Sequence, residues 1–74
     1  MYTMREAAAV VRELRDERGW TQAQLAERAR VSRSFVADVE AGKASVEASK
    51  VFDLLQALGF EVALRARDTG DVRW

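Results

Sequence analysis

Two helix-start motifs lie close together in the middle of the chain, and they restrict the fold more than any other feature. Thr21 begins the sequence Thr-Gln-Ala-Gln, a capping box in which the Thr and Gln side chains satisfy free amides at a helix start. Ser32 is a favourable N-cap residue for another helix. The residues between them suffice for one short helix and a turn at Arg30 and Val31. The chain is therefore predicted to contain two short helices joined by a tight turn.

Further helices are predicted on both sides of this pair. Thr3 begins a Thr-x-x-Glu capping box, and the apolar spacing that follows predicts a helix over residues 4–18. The second of the two short helices is predicted to run to about Glu40. Ser45 is predicted to cap a fourth helix. The chain is therefore predicted to be mainly α-helical.

Beyond the fourth helix, the apolar residues change from helical spacing to alternation. Phe60, Val62 and Leu64 predict a half-buried strand over residues 60–66, and residues 67–74 are predicted to be a flexible tail. A lone strand leaves its amides and carbonyls unpaired, and no second strand is expected in this chain. We therefore predict that the strand pairs antiparallel with its copy in a homodimer, which buries the three apolar residues. The alternative is a strand folded back on its own fourth helix.

The two short helices carry the apolar residues that a close helix crossing needs. Ala26 is small where the first helix must be approached closely, and Val36 and Val39 are branched apolar residues on the second. The other inward positions are Gln22, Leu25, Ala29 and Val31. This spacing predicts a helix-turn-helix motif, and the alternative is an ordinary helical hairpin in a small bundle.

Most of these residues fall in one stretch, TQAQLAERARVSRSFVADVEAGKASVEASKVFDLLQALG. The stretch resembles the Xre/Cro-type helix-turn-helix family and, within it, is most similar to HipB-like antitoxins; the resemblance covers about residues 5–65. It implies an all-α fold of four or five helices, a lambda-repressor-like domain over residues 1–66 with a C-terminal β-strand that pairs across a homodimer. Two positions depart from the family pattern. Arg30 replaces the usual Gly at a left-handed turn position, at a cost of about 1 kcal/mol, and Ala44 replaces a frequent Pro.

The resemblance also implies which residues face the bases of duplex DNA. In such folds the second short helix lies in the major groove, and its first residues meet base edges. Base contacts are thereby assigned to Arg33, Ser34 and Asp38. Arg33 is the main expected source of specificity, because its guanidinium can bond both O6 and N7 of guanine. Asp38 has three possible roles: accepting from cytosine N4, orienting Arg33, or repelling phosphate.

Contacts with backbone phosphates are assigned to a second group of polar and basic residues, namely Gln22, Ser32, Lys43, Arg28 and Arg30. Gln22 begins a helix, where its side chain and the free amides can both bond a phosphate. For Arg28 and Arg30 the alternative is an ordinary solvated charge.

Two further assignments concern structure more than DNA. The family resemblance pairs Arg15 with Glu40, as a structural salt bridge that locks the helix-turn-helix to the first helix. Breaking such a partly buried pair is expected to cost stability rather than a DNA contact. Phe35 is expected to pack over the edge of the preceding helix, and the alternative is contact with a thymine methyl group or a sugar.

The charge balance favours DNA binding as a dimer. The chain has 12 basic and 12 acidic residues and no net charge, whereas DNA affinity comes largely from neutralised phosphates. Residues 21–43 carry four basic and three acidic side chains, so one copy offers at most a mildly basic surface. Two copies double the phosphate contacts and place two recognition helices about 34 Å apart on a palindromic operator.

The residue types that the chain lacks restrict its chemistry. It has no His and no Cys, which removes the usual general base, the usual zinc ligands and any disulfide. We expect no enzymatic activity, no metal and no cofactor. The longest apolar stretch, residues 7–11, is far shorter than the roughly 20 residues of a membrane-spanning helix. We therefore expect no membrane partner and a cytoplasmic, nucleoid-associated bacterial protein.

These observations favour a DNA-binding repressor that is the autoregulating antitoxin of a toxin–antitoxin operon, with a HipA-like Ser/Thr kinase as the toxin. One alternative is a stand-alone or phage-type repressor without a toxin, which the sequence does not separate from the antitoxin. Another is a toxin-binding module with weak or lost DNA affinity. Trp74, at the end of the tail, is expected either to enter a pocket on a partner or to be a disordered end.

Overall fold

A computed structural model describes residues 3–61, 64–65 and 68–73 of the 74-residue chain. These residues form four helices followed by two short strands. In chain order the elements are α1 (Met4–Glu17), α2 (Gln22–Ala29), α3 (Arg33–Glu40), α4 (Ala48–Ala57), β1 (Leu64–Arg65) and β2 (Val72–Arg73). The predicted mainly helical fold, with a helix-turn-helix at α2 and α3, is confirmed.

The first three helices begin where their capping residues predict. The Thr3 hydroxyl accepts a hydrogen bond from the Glu6 amide at 3.2 Å. At α2 the capping box is complete: Thr21 accepts from the Gln24 amide at 3.1 Å, and the Gln24 side chain accepts from the Thr21 amide at 2.8 Å. Ser32 accepts from the Phe35 amide at 3.0 Å. Local capping therefore fixes both ends of the turn between α2 and α3.

The turn itself passes through a left-handed residue. Arg30 has φ 59° and ψ 42°, so this non-glycine residue takes the left-handed conformation that the resemblance implies at the turn. The amide of the next residue, Val31, donates to the Ala26 carbonyl at 3.0 Å and closes the end of α2. The left-handed conformation costs a non-glycine residue about 1 kcal/mol, which a packed core can absorb.

The fourth helix begins later than predicted. Its N-cap is Glu47, which makes no side-chain capping hydrogen bond, and Ser45 lies in the irregular segment before it. The physical reason is Val46, which is partly buried against the core and so fixes the path of the chain after Ser45. A packing contact here outweighs the local preference of Ser45 for an N-cap.

One apolar core joins the four helices. The inward positions predicted for the two short helices are buried, including Ala26, Val36 and Val39. The core consists of Val11, Leu25, Ala26, Ala29, Val36, Val39, Leu54 and Leu58. α3 packs against both α1 and α2, and α4 packs against α2. α3 is thus held by two neighbouring helices, and its remaining side is not covered by either of them.

The C-terminal part differs from the prediction. β1 pairs antiparallel with β2 of the same chain, so the expectation of no second strand is wrong, and Val72 and Arg73 belong to a strand rather than to a flexible tail. A turn explains the difference. The Thr69 amide donates to the Asp68 carboxylate at 2.9 Å, and Gly70 takes φ +78°, which suits glycine.

The single chain leaves the predicted dimer strand only partly described. The backbone of Leu64 lies in β1, whereas Val62 and Trp74 lie outside the described residues. The strand predicted over residues 60–66 does not begin at Phe60, because the Phe60 amide still donates to the Leu55 carbonyl at 2.9 Å at the end of α4. The Phe60 side chain is 46% exposed. Pairing between two copies stays a prediction.

Candidate nucleic-acid interface

α3 has one buried face and one exposed face. Val36 and Val39 are fully buried, whereas Arg33 and Ser34 are exposed at the N-terminal end of the helix. Asp38, one turn further along, is half-buried. The structure therefore brings the three predicted base-contacting residues to the side of α3 that points away from the core.

Asp38 is paired with Lys43 and not with Arg33. The Lys43 ammonium lies 3.8 Å from the Asp38 carboxylate, and the Lys43 amide donates to the Asp38 carbonyl at 3.1 Å. Among the described residues, no salt bridge includes Arg33. Lys43, just after the end of α3, is therefore the cation that reaches Asp38 in this structure, and a role for Asp38 in orienting Arg33 stays a prediction.

The Ser32 hydroxyl is already engaged at the start of α3. It accepts from the Phe35 amide and lies 3.1 Å from the Ser34 hydroxyl, where either oxygen can donate. Both residues are exposed, so a free lone pair or proton of this hydroxyl pair remains open to solvent. The Phe35 ring is partly buried against the core, as the packing interpretation expects, with the Lys50 ammonium 6.0 Å from its centre.

A buried ion pair joins the end of α3 to α1. Arg15 Nε donates to Glu40 Oε2 at 2.7 Å, and Nη2 donates to Oε1 at 2.9 Å. The Glu40 side chain is 1% exposed and that of Arg15 is 14% exposed. The third nitrogen of Arg15, Nη1, donates to the Trp20 carbonyl at 2.8 Å. This pair is the geometry that the family resemblance implies, and it ties the recognition helix to α1.

Two other side chains complete the network around Glu40. Gln22 Nε2 donates to Glu40 Oε1 at 3.3 Å, and Arg12 Nη2 donates to the Glu40 carbonyl at 3.2 Å. Gln22 was predicted to contact phosphate, and Arg12 was not among the predicted functional residues. Within the described residues, no buried side-chain nitrogen or oxygen is left without a hydrogen-bond partner. The first residue of α2, the last residue of α3 and the middle of α1 therefore meet at one carboxylate.

The surroundings of Glu40 favour its charged form. Burial acts to raise the pKa of Glu40, but the hydrogen bonds from Arg15 and Gln22 and the nearby positive charges outweigh burial and hold the pKa below its ordinary value. The hydrogen bond with Glu40 raises the pKa of Arg15 despite its burial. Both groups are charged at neutral pH, so the contact is a full ion pair.

The basic residues assigned to phosphate on α2 differ in their surroundings. The Arg28 guanidinium lies 4.2 Å from the centre of the Trp20 ring, and its Nη1 donates to the Gln24 carbonyl at 3.4 Å. A cation at this distance from an aromatic face is attracted to it. Arg30, in contrast, is exposed at the turn. Arg28 is thus held against Trp20 in the unbound chain, a contact that the sequence did not predict.

Comparison with known proteins gives a family. Residues 6–67 match the helix-turn-helix domain family. An uncharacterized HTH-type transcriptional regulator of Sinorhizobium fredii is 38% identical over 64 residues, which cover 86% of this chain and 84% of that protein. An immunity repressor protein of Bacillus phage phi105 is 40% identical over 53 residues, which cover 72% of this chain but only 37% of the phage protein.

Solved structures of HipB share the fold. A chain of the HipA-HipB-O2-O3 complex has a TM-score of 0.82 at 22% identity, covering 92% of this chain and 96% of that one. The HipB-O4 20mer complex has a TM-score of 0.81 at the same identity and coverage. At this identity the likeness concerns the fold.

Within the residues that the structure describes, no helix combines the length and apolar character needed to cross a membrane.

The chain belongs to the helix-turn-helix family of DNA-binding transcriptional regulators, and its fold is that of the HipB structures.

Proposed function

We propose that the protein is a sequence-specific repressor that binds duplex DNA with α3 in the major groove. The division of α3 into two faces is the observation that carries the proposal. Val36 and Val39 hold one face in the core, while Arg33 and Ser34 stand exposed at the N-terminal end. In helix-turn-helix proteins, the first residues of the second helix contact base edges. The exposed end of α3 therefore has the residue types that base recognition requires, and these side chains are accessible to DNA.

Arg33 is the proposed source of specificity. A guanidinium that bonds both O6 and N7 of guanine contributes about 1–3 kcal/mol of discrimination against other bases. Ser34 can donate to or accept from a neighbouring base. Asp38 accepts from cytosine N4 if its pair with Lys43 opens, which leaves the Lys43 ammonium for a phosphate. The long 3.8 Å separation of that exposed pair makes opening inexpensive.

The proposed phosphate contacts surround α3. They comprise Gln22, Ser32, Lys43, Arg28 and Arg30. Gln22 keeps a second N–H beyond its bond to Glu40, so it can donate to a phosphate without leaving the network. Arg28 must turn from the Trp20 ring, which makes it the weakest of the five candidates.

A homodimer on a palindromic operator is the second part of the proposal. Residues 21–43 carry four basic and three acidic side chains, which is little charge for one copy to hold DNA. Large apolar side chains are available for a partner: Val10 is 39% exposed, Phe52 47% and Phe60 46%. Over the described residues β1 has a neighbour on one edge only, so its other edge can pair with the same strand of a second copy.

The antitoxin function is the third part. The resemblance to HipB-like antitoxins supports it, as does the fold shared with a protein solved in a HipA-HipB-O2-O3 complex. The proposed partner is a HipA-like Ser/Thr kinase whose operon the protein represses, which sets its place of action in the cytoplasm at the nucleoid. The protein itself is proposed to have no catalytic activity.

A second candidate is a repressor without a toxin partner, favoured by the 40% identity to a phage immunity repressor. Co-expression with a HipA-like kinase encoded beside the gene separates the two. A complex of fixed stoichiometry supports the antitoxin, and a repressor that binds its operator but never the kinase supports the second candidate.

DNA binding itself is tested by gel shift with duplex DNA from upstream of the protein's own gene, over a series of salt concentrations. The wild type is compared with Arg33→Ala and with Arg73→Ala, a matched control in β2 outside the helix-turn-helix. We expect salt-sensitive binding at dimer stoichiometry whose preference for the operator over unrelated DNA is lost in Arg33→Ala and kept in Arg73→Ala. Wild-type binding that unrelated DNA competes away equally well would contradict the proposal.

A further inference from the structure

Two arginines of α1 border a pocket that lies beside the end of the recognition helix. The pocket has a volume of about 210 Å³, with Arg5 and Arg12 on its rim and the small residues Ala8 and Gly42 in its lining. Residues seven apart lie on the same side of a helix, so both guanidinium groups belong to one stripe of α1. Neither arginine is among the residues predicted to contact DNA.

Close backbone packing fixes this stripe relative to α3. Gly42 follows the end of α3 with φ +77°, and a Cβ atom there would lie 3.5 Å from the Cα of Arg5. The first turn of α1 therefore rests directly on the backbone after α3. Lys43, a proposed phosphate contact, is the next residue in the chain. Arg5 is thus held beside the DNA-binding motif by main-chain contact and not by a flexible side chain.

Carboxylates of the protein do not fully neutralise the positive charge of Arg5 and Arg12. Glu40 already receives the two short hydrogen bonds of Arg15, and Arg12 adds only a bond to the Glu40 carbonyl and an ion pair of 3.6 Å. A second carboxylate, Asp16, pairs with Arg15 at 3.3 Å. The Arg12 side chain is 58% exposed, and in the described part of the chain Arg5 is exposed and joins no salt bridge. Arg5, Arg12 and Arg15 against Glu40 and Asp16 leave this cluster with one positive charge in excess, and the two arginines that face solvent carry it.

We propose that Arg5 and Arg12 bind a backbone phosphate of the same DNA duplex that α3 reads. Two contacts support this proposal. Arg12 contacts Glu40, which also accepts a hydrogen bond from Gln22. Arg5 packs on Gly42, which directly precedes Lys43. The α1 site thus lies between two proposed phosphate contacts and extends them along one edge of the motif. Guanidinium groups suit phosphate oxygens, and two more of them offset the small charge of residues 21–43. The inference rests on the proposed DNA-binding function.

The test is the salt dependence of binding, measured by fluorescence anisotropy on operator DNA and on unrelated DNA. For duplex DNA, the slope of log affinity against log salt is about 0.9 per phosphate contact. We expect Arg5→Ala and Arg12→Ala each to weaken binding to both DNAs. In the double variant each copy of the dimer loses one phosphate contact, so the slope should fall by about 1.8. Arg5→Lys and Arg12→Lys should largely restore the slope, and Arg73→Ala should match the wild type.

Stability controls keep the test decisive. Arg12 touches Glu40, so each variant is also melted without DNA; Arg5 has no side-chain partner to lose in the described structure. If the wild type binds no DNA, both the proposed function and this inference fall. If the wild type binds, Arg33→Ala loses specificity, and the double Arg5 and Arg12 variant keeps the wild-type slope, the inference alone is wrong.

Discussion

Replacing Glu40 with alanine is expected to destabilise the fold strongly, because it leaves the Arg15 guanidinium without its partner. The Glu40 side chain is 1% exposed and that of Arg15 is 14% exposed, so water cannot replace the lost carboxylate freely. Two charge-assisted hydrogen bonds, of 2.7 and 2.9 Å, disappear, and the Gln22 amide loses its acceptor. Removing one member of a buried pair typically costs about 3–5 kcal/mol. Two hydrogen bonds to a charged group, at about 1.5–3 kcal/mol each, give a similar figure.

This loss is large for a chain of this size. At about 0.05–0.15 kcal/mol per residue, a domain of 74 residues has a free energy of unfolding of about 4–11 kcal/mol. A loss of about 3 kcal/mol corresponds to a melting temperature lower by about 12 °C or more in a domain this small. Glu40→Ala is therefore expected to be partly unfolded at moderate temperature.

The assay is thermal and urea unfolding followed by circular dichroism, applied to Arg15→Ala, Glu40→Ala and the double variant. The two residues are in contact, so the double variant should lose less than the sum of the single losses, by about 2 kcal/mol. Asp38→Ala is the control, since its exposed ion pair of 3.8 Å is expected to contribute about 0–1 kcal/mol. A loss below about 1 kcal/mol for Glu40→Ala, or strict additivity of the two single variants, would refute the reasoning.

Three further outcomes are expected. Because the folded-state pKa of Glu40 lies below its ordinary value of 4.5, its stabilising contribution is present above pH 4.5 and is lost as the pH falls through the folded pKa. The stability difference between wild type and Glu40→Gln, measured by urea unfolding on both sides of pH 4.5, should therefore shrink on the acid side; a constant difference would contradict the assignment. Arg30→Gly removes the backbone strain of a non-glycine residue in the left-handed conformation, so it should raise the free energy of unfolding by about 0.5–1 kcal/mol. It should also weaken DNA binding. A lower melting temperature would instead show that the Arg30 side chain stabilises the turn. Phe60→Ser removes a side chain that is 46% exposed, so sedimentation should detect a weaker dimer at little cost to the fold of each chain; an unchanged dimer would exclude Phe60 from the interface.

Helix starts were predictable wherever a local hydrogen bond decides them. The Thr3, Thr21 and Ser32 side chains each cap a helix as expected, since an N-cap depends on residues two or three positions away. Ser45 has the same local preference, but Val46 packs against the core and the helix starts after Glu47. That contact depends on the assembled core, which the local sequence does not contain.

The C-terminal hairpin shows a different limit. Each of its strands has two residues, too few for apolar alternation to identify β2. The turn was readable in principle, because Asp68 and Gly70 are typical turn residues with complementary roles. The polar composition of this segment instead favoured a flexible tail.

The site was predictable in its residues more than in its contacts. The exposed face of α3 follows from the spacing of Val36 and Val39, and the Arg15–Glu40 pair follows from the family resemblance. The bonds from Gln22 and Arg12 to Glu40 join three helices that are distant in sequence. Their geometry depends on how the helices cross, and the spacing of residues along the chain does not determine the crossing angles.

The central claim is that α3 reads base sequence through Arg33, and selection from a pool of random duplexes tests it most directly. The bound DNA is sequenced after selection by the wild type and by Arg33→Ala, with Arg73→Ala as the control. We predict that the wild type enriches two inverted half-sites about one helical turn apart, with guanine at one fixed position in each. Arg33→Ala should lose the preference for that guanine, and Arg73→Ala should keep it. Enrichment of the same guanine with and without Arg33, or no enrichment by the wild type, would contradict the account.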